Sequence, residues 1–110
     1  MGVKWVMFVR RRKGLSHQEF REHYEGVHVP LAMKLLPWIK RYVRNYFPPD
    51  SDTGFDVATE FWFDSEADEA ATKAWYAADE SQTLQRDEET FMDRDTIRLF
   101  TVVEDVTVRK

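Results

Sequence analysis

The sequence predicts an α+β domain whose chain runs strand, helix, strand, strand, helix, strand. Apolar and polar residues alternate at the start, in two central segments and near the end, whereas the segments between them repeat apolar residues at helical spacing. No internal repeat or low-complexity tract interrupts this order. The order matches the ferredoxin-like βαββαβ arrangement, an antiparallel four-stranded sheet with helices on one face, in one domain of 110 residues.

The first strand, from Gly2 to Arg10, carries apolar residues on both of its sides. One side holds Trp5 and Met7, and the other holds Val6 and Phe8. Such a strand is typical of the centre of a sheet, where helices cover one face and something else covers the other. In so short a chain we expect the second cover to be a partner subunit.

A helix is predicted from the Ser16 cap to about Leu36. Ser16 and Glu19 have the spacing of a capping box, in which each side chain binds a free N–H at the helix start. Pro37 ends the helix, because helical geometry is disfavoured for the residue before a proline. The apolar stripe of this helix consists of Phe20, Tyr24, Val27, His28, Leu31 and Leu35.

His28 is the most informative residue of this helix, because a titratable ring lies where an apolar side chain is expected. One interpretation is a core histidine with a fixed hydrogen-bond partner. Gly26 and Pro30 favour another. A proline inside a helix loses a backbone hydrogen bond and collides with a carbonyl, so we expect a kink at Gly26 that opens space beside His28. Such space is typical of a small-molecule pocket.

The remaining elements follow in the order that this fold requires. Asp64 and Ser65 cap the second helix. Tyr42 and Asn45 are three residues apart in one strand, so we expect them on opposite faces. The predicted segments are a strand from Ile39 to Phe47, a loop from Pro48 to Gly54, a strand from Phe55 to Phe63, a helix from about Glu66 to Ala77 that packs through Ala67, Ala70, Ala71, Ala74 and Trp75, a helical stretch from Asp79 to Phe91, and a strand from about Thr96 to Val108.

The composition excludes several classes of function. The net charge is −4, from 16 basic and 20 acidic residues, whereas a nucleic-acid binder needs a basic face. The sequence has no apolar run of about 18 residues and no secretory signal pattern, so we expect a cytoplasmic protein with no nucleic-acid or membrane partner. The absence of cysteine excludes disulfides, thiol nucleophiles and thiolate metal sites.

Metal and nucleotide cofactors are not expected either. Glu25 and His28 form one Glu-x-x-His pair, but a di-iron site needs a second such pair, and the sequence contains none. It also lacks a Gly-x-Gly-x-x-Gly or phosphate-binding lysine motif. We therefore expect chemistry without a cofactor.

A set of short motifs runs from the first turn to the last strand. They are Arg11-Arg12-Lys13-Gly14-Leu15-Ser16, Glu19-Phe20-Arg21, Val27-His28-Val29-Pro30-Leu31, Arg41-Tyr42-Val43-Arg44-Asn45, Phe61-Trp62-Phe63-Asp64-Ser65, Phe91-Met92-Asp93 and Val102-Val103-Glu104. With these motifs in this order, nearly the whole chain resembles the EthD domain family of the dimeric α/β-barrel superfamily. The resemblance implies a homodimer whose two sheets close into a barrel, with a pocket between each sheet and its helices.

The resemblance also implies site residues. In relatives of the methylmuconolactone isomerase type, a histidine at the place of His28 and a tyrosine at the place of Tyr42 lie in the active site. Phe61 stands where that type has a thiol, which argues against the same reaction. His23 and Tyr24 replace the tyrosine and tryptophan that are usual in EthD sequences. We expect His23 to be half exposed and the change at Tyr24 to deepen the pocket.

These residues suggest roles in proton transfer. We expect His28 to act as a general base or acid, oriented by a carboxylate such as Glu60 or Asp93. Tyr42 is expected to donate a hydrogen bond to a developing enolate or phenolate oxygen. A packing role for Tyr42 and a loop-capping role for Asn45 are the structural alternatives. The expected substrate-binding residues are Tyr24, Asn45, Glu60, Phe61 and Asp93.

The predicted function is a cofactor-independent isomerase, cyclase or dehydratase that acts on a small aromatic, lactone or polyketide-like substrate. One alternative is a non-catalytic ligand-binding or accessory protein of a catabolic or biosynthetic pathway. Another is a cofactor-free monooxygenase, which needs the same aromatic-lined pocket.

Overall fold

Four strands and six helical segments build the fold in a computed structural model that describes residues 2–110. In chain order the segments are β1 (Val3–Arg11), α1 (His17–His23), a π-helical turn (Tyr24–His28), α2 (Val29–Leu35), β2 (Arg41–Tyr46), β3 (Val57–Phe63), α3 (Glu66–Ala77), a 3₁₀ turn (Asp79–Ser81), α4 (Gln82–Phe91) and β4 (Met92–Val102). This order confirms the predicted α+β, ferredoxin-like class.

The strands form one antiparallel sheet in the order β2-β3-β1-β4, so β1 is central as predicted. Trp5 of β1 and Tyr42 of β2 both pair with Phe61 of β3. These three side chains define the helix face of the sheet, which packs against the helices. Alternate residues lie on the opposite, open face, which includes Lys4, Val6, Phe8, Asn45, Glu60 and Phe100.

The core fills the space between the helix face and the helices in two adjoining clusters. One cluster surrounds Trp5 and Phe63, whose ring centroids are 4.6 Å apart. The other surrounds Phe20 and Tyr24, which are buried with ring centroids 5.9 Å apart. Phe20 and Tyr24 also pack against Tyr46 of β2, with ring centroids 6.3 and 6.2 Å apart, and these contacts fix the first helical segment against the sheet.

The first helical segment is interrupted where the sequence predicts a kink. The capping box of Ser16 and Glu19 starts α1 as expected. After α1 the N–H of Val29 donates to the carbonyl of Tyr24, five residues back, and closes the π-helical turn. Pro30 follows directly, so the wider turn relieves the collision that its ring would cause in a regular helix.

The π-helical turn separates two residues that the sequence analysis placed on one apolar stripe. His28 is 3% exposed, whereas Val27 is 48% exposed. The prediction for Val27 was wrong because the wider turn breaks the regular helical spacing after Tyr24. Gly26 is exposed in the same turn, and a Cβ added there would meet no atom of residues 2–110 within 4 Å beyond its own helix backbone and chain neighbours.

The strand boundaries differ from the predicted ones mainly in β4. This strand begins at Met92 instead of about Thr96, because α4 passes into it without a loop, and it ends at Val102 instead of Val108. β2 is shorter than predicted at both ends, and β3 begins at Val57 instead of Phe55 but ends at Phe63 as predicted. Within residues 2–110, none of the helices has the length and apolar character needed to cross a membrane.

A bulge in β4 brings additional residues to the edge of the helix face. Arg10 of β1 pairs with Asp93, whereas Phe8, two residues earlier, pairs with Arg98. The intervening β4 residues therefore have no matching positions on β1, and Arg94 is among them.

The prediction that the alanine stripe of the second helix packs inward was wrong for most of the residues in it. Ala67, Ala70 and Ala74 of α3 are exposed, whereas Thr72 is buried and Trp75 packs against the core. The helix turns its larger side chains inward because they bury more apolar area than alanine.

Candidate functional site

A cleft of about 760 Å³ lies between the helix face of the sheet and helices α2, α3 and α4. Its walls are mostly apolar and include Trp5, Met7, Ala32, Leu36, Ile39, Phe61, Leu84, Ile97 and Leu99. Polar side chains reach the same cleft from the sheet and the helices, among them His28, Tyr42, Tyr76 and Glu88. An apolar cleft with a few convergent polar groups is the usual form of a small-molecule site.

Asp87 of α4 holds His28 in a fixed orientation. Nδ1 of His28 lies 2.8 Å from one carboxylate oxygen of Asp87, and Nε2 of His23 lies 2.8 Å from the other. The ring of His28 also packs against Phe91, with centroids 5.0 Å apart. In this arrangement Nδ1 of His28 carries the proton that it donates to Asp87, so the lone pair lies on Nε2.

Nε2 of His28 is open to the cleft. It has no hydrogen-bond partner within residues 2–110. Every fully buried side-chain nitrogen or oxygen of these residues has a partner, so Nε2 is not fully buried. Burial lowers the pKa of His28 below its ordinary value of 6.5, although Asp87 opposes the shift. The ring is therefore neutral at pH 7, as a general base must be.

The hydroxyl groups of Tyr42, Tyr24 and Thr59 form a short chain beside the cleft. Tyr42 donates to Tyr24 over 3.3 Å, and the Tyr24 hydroxyl lies 2.8 Å from that of Thr59. Burial raises the pKa of Tyr24 to about 12 and the pKa of Tyr42 well above its ordinary value, so both stay protonated. The ring of Tyr42 stacks on Phe61 at 4.8 Å, and Tyr24 is completely buried.

Glu25, the acidic member of the Glu-x-x-His pair, ties the π-helical turn to β2. Arg44 donates to its two oxygens over 2.9 and 2.6 Å, and Tyr46 donates to it over 2.5 Å. These bonds, chiefly the one from Arg44, lower the pKa of Glu25. Residues 2–110 contain no group of three or more His, Cys, Asp or Glu side chains placed to hold a metal ion.

Glu88 is a second buried titratable group of the cleft. It follows Asp87 on α4, is 7% exposed and accepts a hydrogen bond from the hydroxyl of Tyr76. Nε of Arg94, in the β4 bulge, lies 3.8 Å from the same carboxylate oxygen. Burial raises the pKa of Glu88, although Tyr76 and Arg94 oppose this shift.

The predicted site residues divide between the two faces of the sheet. His28, Tyr42 and Phe61 line one cleft. Asn45 and Glu60 lie on the open face, where Asn45 donates to Glu60 over 2.8 Å. Tyr42 and Asn45 therefore have the opposite orientations that the sequence predicts.

The prediction that Glu60 or Asp93 orients His28 was wrong, because Asp87 performs this role. Glu60 is separated from His28 by the sheet and pairs with Lys4. Asp93 lies opposite Arg10 in the backbone ladder between β1 and β4. Residue spacing could not identify Asp87, since only the packing of α4 against the π-helical turn brings its carboxylate to His28.

The sequence analysis missed Asp87 and Glu88, although Glu88 left a signal. Leu84, Glu88 and Phe91 are the buried residues of α4 and are spaced by four and three positions. Glu88 thus interrupts an apolar stripe in the same way as His28 does. Asp87 has no comparable signal, because it lies one position away from that stripe.

Several solved structures share this fold. An ethyl tert-butyl ether D (EthD) family protein from Bacillus halodurans matches with a TM-score of 0.68 and 21% identity, over 96% of this chain and 100% of that chain. The hydroxynitrile lyase of Passiflora edulis matches with a TM-score of 0.67 and 18% identity, over 98% and 97%. A dimeric ferredoxin-like protein of unknown function from Thermobifida fusca matches with a TM-score of 0.62 and 13% identity, over 94% and 92%.

At these identities the structural matches establish the fold alone. No curated protein matches the sequence at a significant level. The model of the EthD domain matches residues 12–95, which contain the π-helical turn with His28 and helix α4 with Asp87. This match covers well over half of the chain and agrees with the motifs quoted from the sequence. The chain therefore belongs to the EthD domain family.

Proposed function

We propose that this protein is a cofactor-independent enzyme that transfers protons on a small apolar substrate, with His28 as the general base. One observation carries the proposal: Nδ1 of His28 is held by Asp87 while Nε2 opens to the cleft. A neutral, oriented imidazole in an apolar cleft is suited to proton abstraction.

The reaction uses three side chains. Nε2 of His28 takes a proton from the substrate, and the carboxylate of Asp87 stabilises the imidazolium that forms. The hydroxyl of Tyr42 turns toward the substrate and donates to the oxygen that gains negative charge. Its bond to Tyr24 is long at 3.3 Å, so little hydrogen-bond energy is lost when the hydroxyl turns.

The cleft favours a neutral, partly aromatic substrate. Its volume of about 760 Å³ lies within the usual range for small-molecule sites. Trp5 and Phe61 offer aromatic walls, and charges of both signs line the rim, including Lys73 and Glu89. Small aromatic, lactone and polyketide-like molecules match these properties.

The comparison with the Passiflora edulis hydroxynitrile lyase supports lyase chemistry in this fold. Loss of cyanide from a cyanohydrin begins with removal of a hydroxyl proton, a step that suits the neutral ring of His28. Aromatic cyanohydrins are therefore suitable probes of this step.

We also propose that the protein forms a homodimer through the open face of the sheet. Val6, Phe8 and Phe100 lie on this face, and Phe100 is 52% exposed. A second copy that covers these side chains removes apolar surface from water. The dimeric Thermobifida fusca neighbour supports this assembly.

Two probes test the base function. Nitrobenzisoxazole opens after removal of one proton from carbon, and mandelonitrile releases cyanide after removal of a hydroxyl proton. The protein is expected to accelerate at least one of them, and His28→Gln is expected to lower that rate by about 10²-fold or more. His17→Gln is the matched control, because His17 pairs with Asp56 at the start of α1, outside the cleft.

Different outcomes favour different functions. A folded His28→Gln variant with the wild-type rate would exclude His28 as the base. Binding of an aromatic ligand in the cleft without turnover of either probe would support the non-catalytic ligand-binding function. Oxygen uptake with a hydroquinone substrate would support a cofactor-free monooxygenase.

A further inference from the structure

Glu88 gives the cleft a second titratable group, which the base mechanism does not use. It reaches the cleft from α4, whereas His28 reaches it from the π-helical turn. The charge of Glu88 also raises the pKa of Tyr24 and of Tyr42. Glu88 and Tyr42 line the same cleft, Glu88 from α4 and Tyr42 from β2.

The two oxygens of Glu88 have different surroundings. Oε1 accepts the hydrogen bond from Tyr76 and faces Arg94. Oε2 has no hydrogen-bond partner within residues 2–110. Every fully buried side-chain oxygen of these residues has a partner, so Oε2 is not fully buried. Like Nε2 of His28, this oxygen is accessible from the cleft.

We propose that Glu88 is the proton donor of this site, delivering a proton from Oε2 to a substrate oxygen while His28 removes a proton from carbon. The inference rests on the proposed function of His28 and narrows it to a reaction class. An acid and a base on separate segments of one cleft suit the dehydration of a β-hydroxycarbonyl compound, whose hydroxyl leaves poorly unless it is protonated.

In the proposed dehydration one proton is removed from carbon and one is delivered to oxygen. His28 takes the proton on the carbon beside the carbonyl, and the electron pair of that C–H bond forms the carbon–carbon double bond. The bond to the β-hydroxyl breaks, and the Glu88 proton joins the departing oxygen to give water. His28 then returns its proton to solvent and Glu88 regains one. Tyr42 donates to the carbonyl oxygen throughout.

The surroundings of Glu88 make its carboxyl group a weaker acid than that of an exposed glutamate. Burial is the largest effect on its pKa and raises it above the ordinary value of 4.5, and the charges of Asp87 and Glu89 on α4 add to the increase. Tyr76 on α3 and Arg94 on β4 oppose it. The hydroxyls of Tyr24 and Tyr42, the remaining titratable groups that this charge affects, stay neutral.

The benzaldehyde–acetone aldol adduct is the probe for this inference, since its dehydration gives a conjugated enone that is followed by absorbance. Glu88→Gln is expected to lower its dehydration rate by about 10²-fold. The same variant is expected to lose a much smaller factor on nitrobenzisoxazole, whose phenolate leaving group needs little protonation. Glu80→Gln is the matched control, because Glu80 is exposed in the 3₁₀ turn that precedes α4.

The two probes separate the inference from the function on which it rests. Suppose that His28→Gln loses both rates. If Glu88→Gln then loses no more on the aldol adduct than on nitrobenzisoxazole, the role of Glu88 is overturned and His28 remains the base. A wild-type protein that acts on nitrobenzisoxazole but not on the aldol adduct also overturns it. A wild-type protein that acts on mandelonitrile alone overturns only the role of Glu88, and one that acts on none of the three probes overturns both proposals.

A titration that needs no substrate completes the test. In carbon-13 spectra of glutamate carboxyl groups, one resonance is expected to titrate above the exposed glutamates and to be missing from Glu88→Gln. Its absence from the wild-type spectrum contradicts the inference. If Glu88→Gln does not fold, Tyr76→Phe replaces it: loss of the hydrogen bond that favours the charged carboxylate is expected to move this titration to higher pH.

Discussion

Asp87 lies 2.8 Å from Nδ1 of His28, although the two residues are 59 positions apart in the sequence. This hydrogen bond holds the imidazole in one orientation. Because Nδ1 carries the shared proton, the lone pair lies on Nε2. It also makes the proposed base depend on the position of α4 against the π-helical turn.

Asp87→Asn is expected to lower turnover of nitrobenzisoxazole by about 10²-fold or more, with a small change in KM. The variant loses the charge that supports the imidazolium, and the pKa of His28 falls further because Asp87 normally opposes its decrease. Rates measured across pH test this prediction, with Asp52→Asn in the exposed β2–β3 loop as control. An unchanged pH–rate profile would argue that Asp87 only fills space.

Tyr42→Phe is expected to lower kcat by about 10²-fold, the usual effect of losing one oxyanion donor. The ring keeps its stacking on Phe61 and its contact with Arg44, so the melting temperature should change little. Tyr46→Phe is the control, because the Tyr46 hydroxyl donates to Glu25 outside the cleft. Equal kcat values for Tyr42→Phe and the wild type would leave Tyr42 with a packing role.

The lowered pKa of His28 predicts a pH-dependent stability. The unfolded chain takes up this proton near the ordinary pKa of 6.5, before the folded protein does, so the stabilising contribution is present above that pH and decreases as the pH falls toward the folded pKa. Urea unfolding between pH 5 and pH 8 is expected to show this loss in the wild type relative to His28→Gln. Taking the difference removes the contribution of Glu88, whose raised pKa acts in the opposite direction. A flat difference would contradict the burial of a neutral His28.

Gly26→Ala is expected to stabilise the protein by roughly 0.4–1 kcal/mol, because alanine restricts the unfolded chain and its Cβ has open space at this position. Gly14→Ala is the opposite case, since Gly14 has a φ of 94° that alanine rarely adopts. Chemical denaturation of both variants provides the comparison. A destabilised Gly26→Ala variant would show that the turn needs glycine itself in addition to Pro30.

The homodimer predicts a sharp difference between two surface substitutions. Phe100→Glu on the open face is expected to shift the protein from dimer to monomer, because the charge cannot be buried without a partner. Val27→Glu, at a residue of similar exposure on the π-helical turn, should leave the dimer intact. Light scattering during size-exclusion chromatography gives both masses. A wild-type monomer at micromolar concentration would exclude the proposed barrel.

The sequence predicted the fold well because local signals agreed with one another. The capping box at Ser16, the alternation of β1 and the proline at position 30 each act over a few residues and are visible without tertiary contacts. The partner of His28 was not predictable in this way. Asp87 reaches it only because α4 packs on the π-helical turn, and the β4 bulge that brings Arg94 near Glu88 has no distinct sequence signal.

The π-helical turn also allows the position of His28 to change without a change in the core residues. A hydrogen bond from Val29 to Tyr24 encloses one residue more than a regular helical bond does, so this stretch behaves as a helix with a single inserted residue. Removing one residue there and replacing Pro30 by another residue would join α1 and α2 into a continuous helix while Phe20 kept its place in the core. Relatives of this protein could thus gain or lose the presented histidine through a one-residue change in chain length, without any exchange of core side chains.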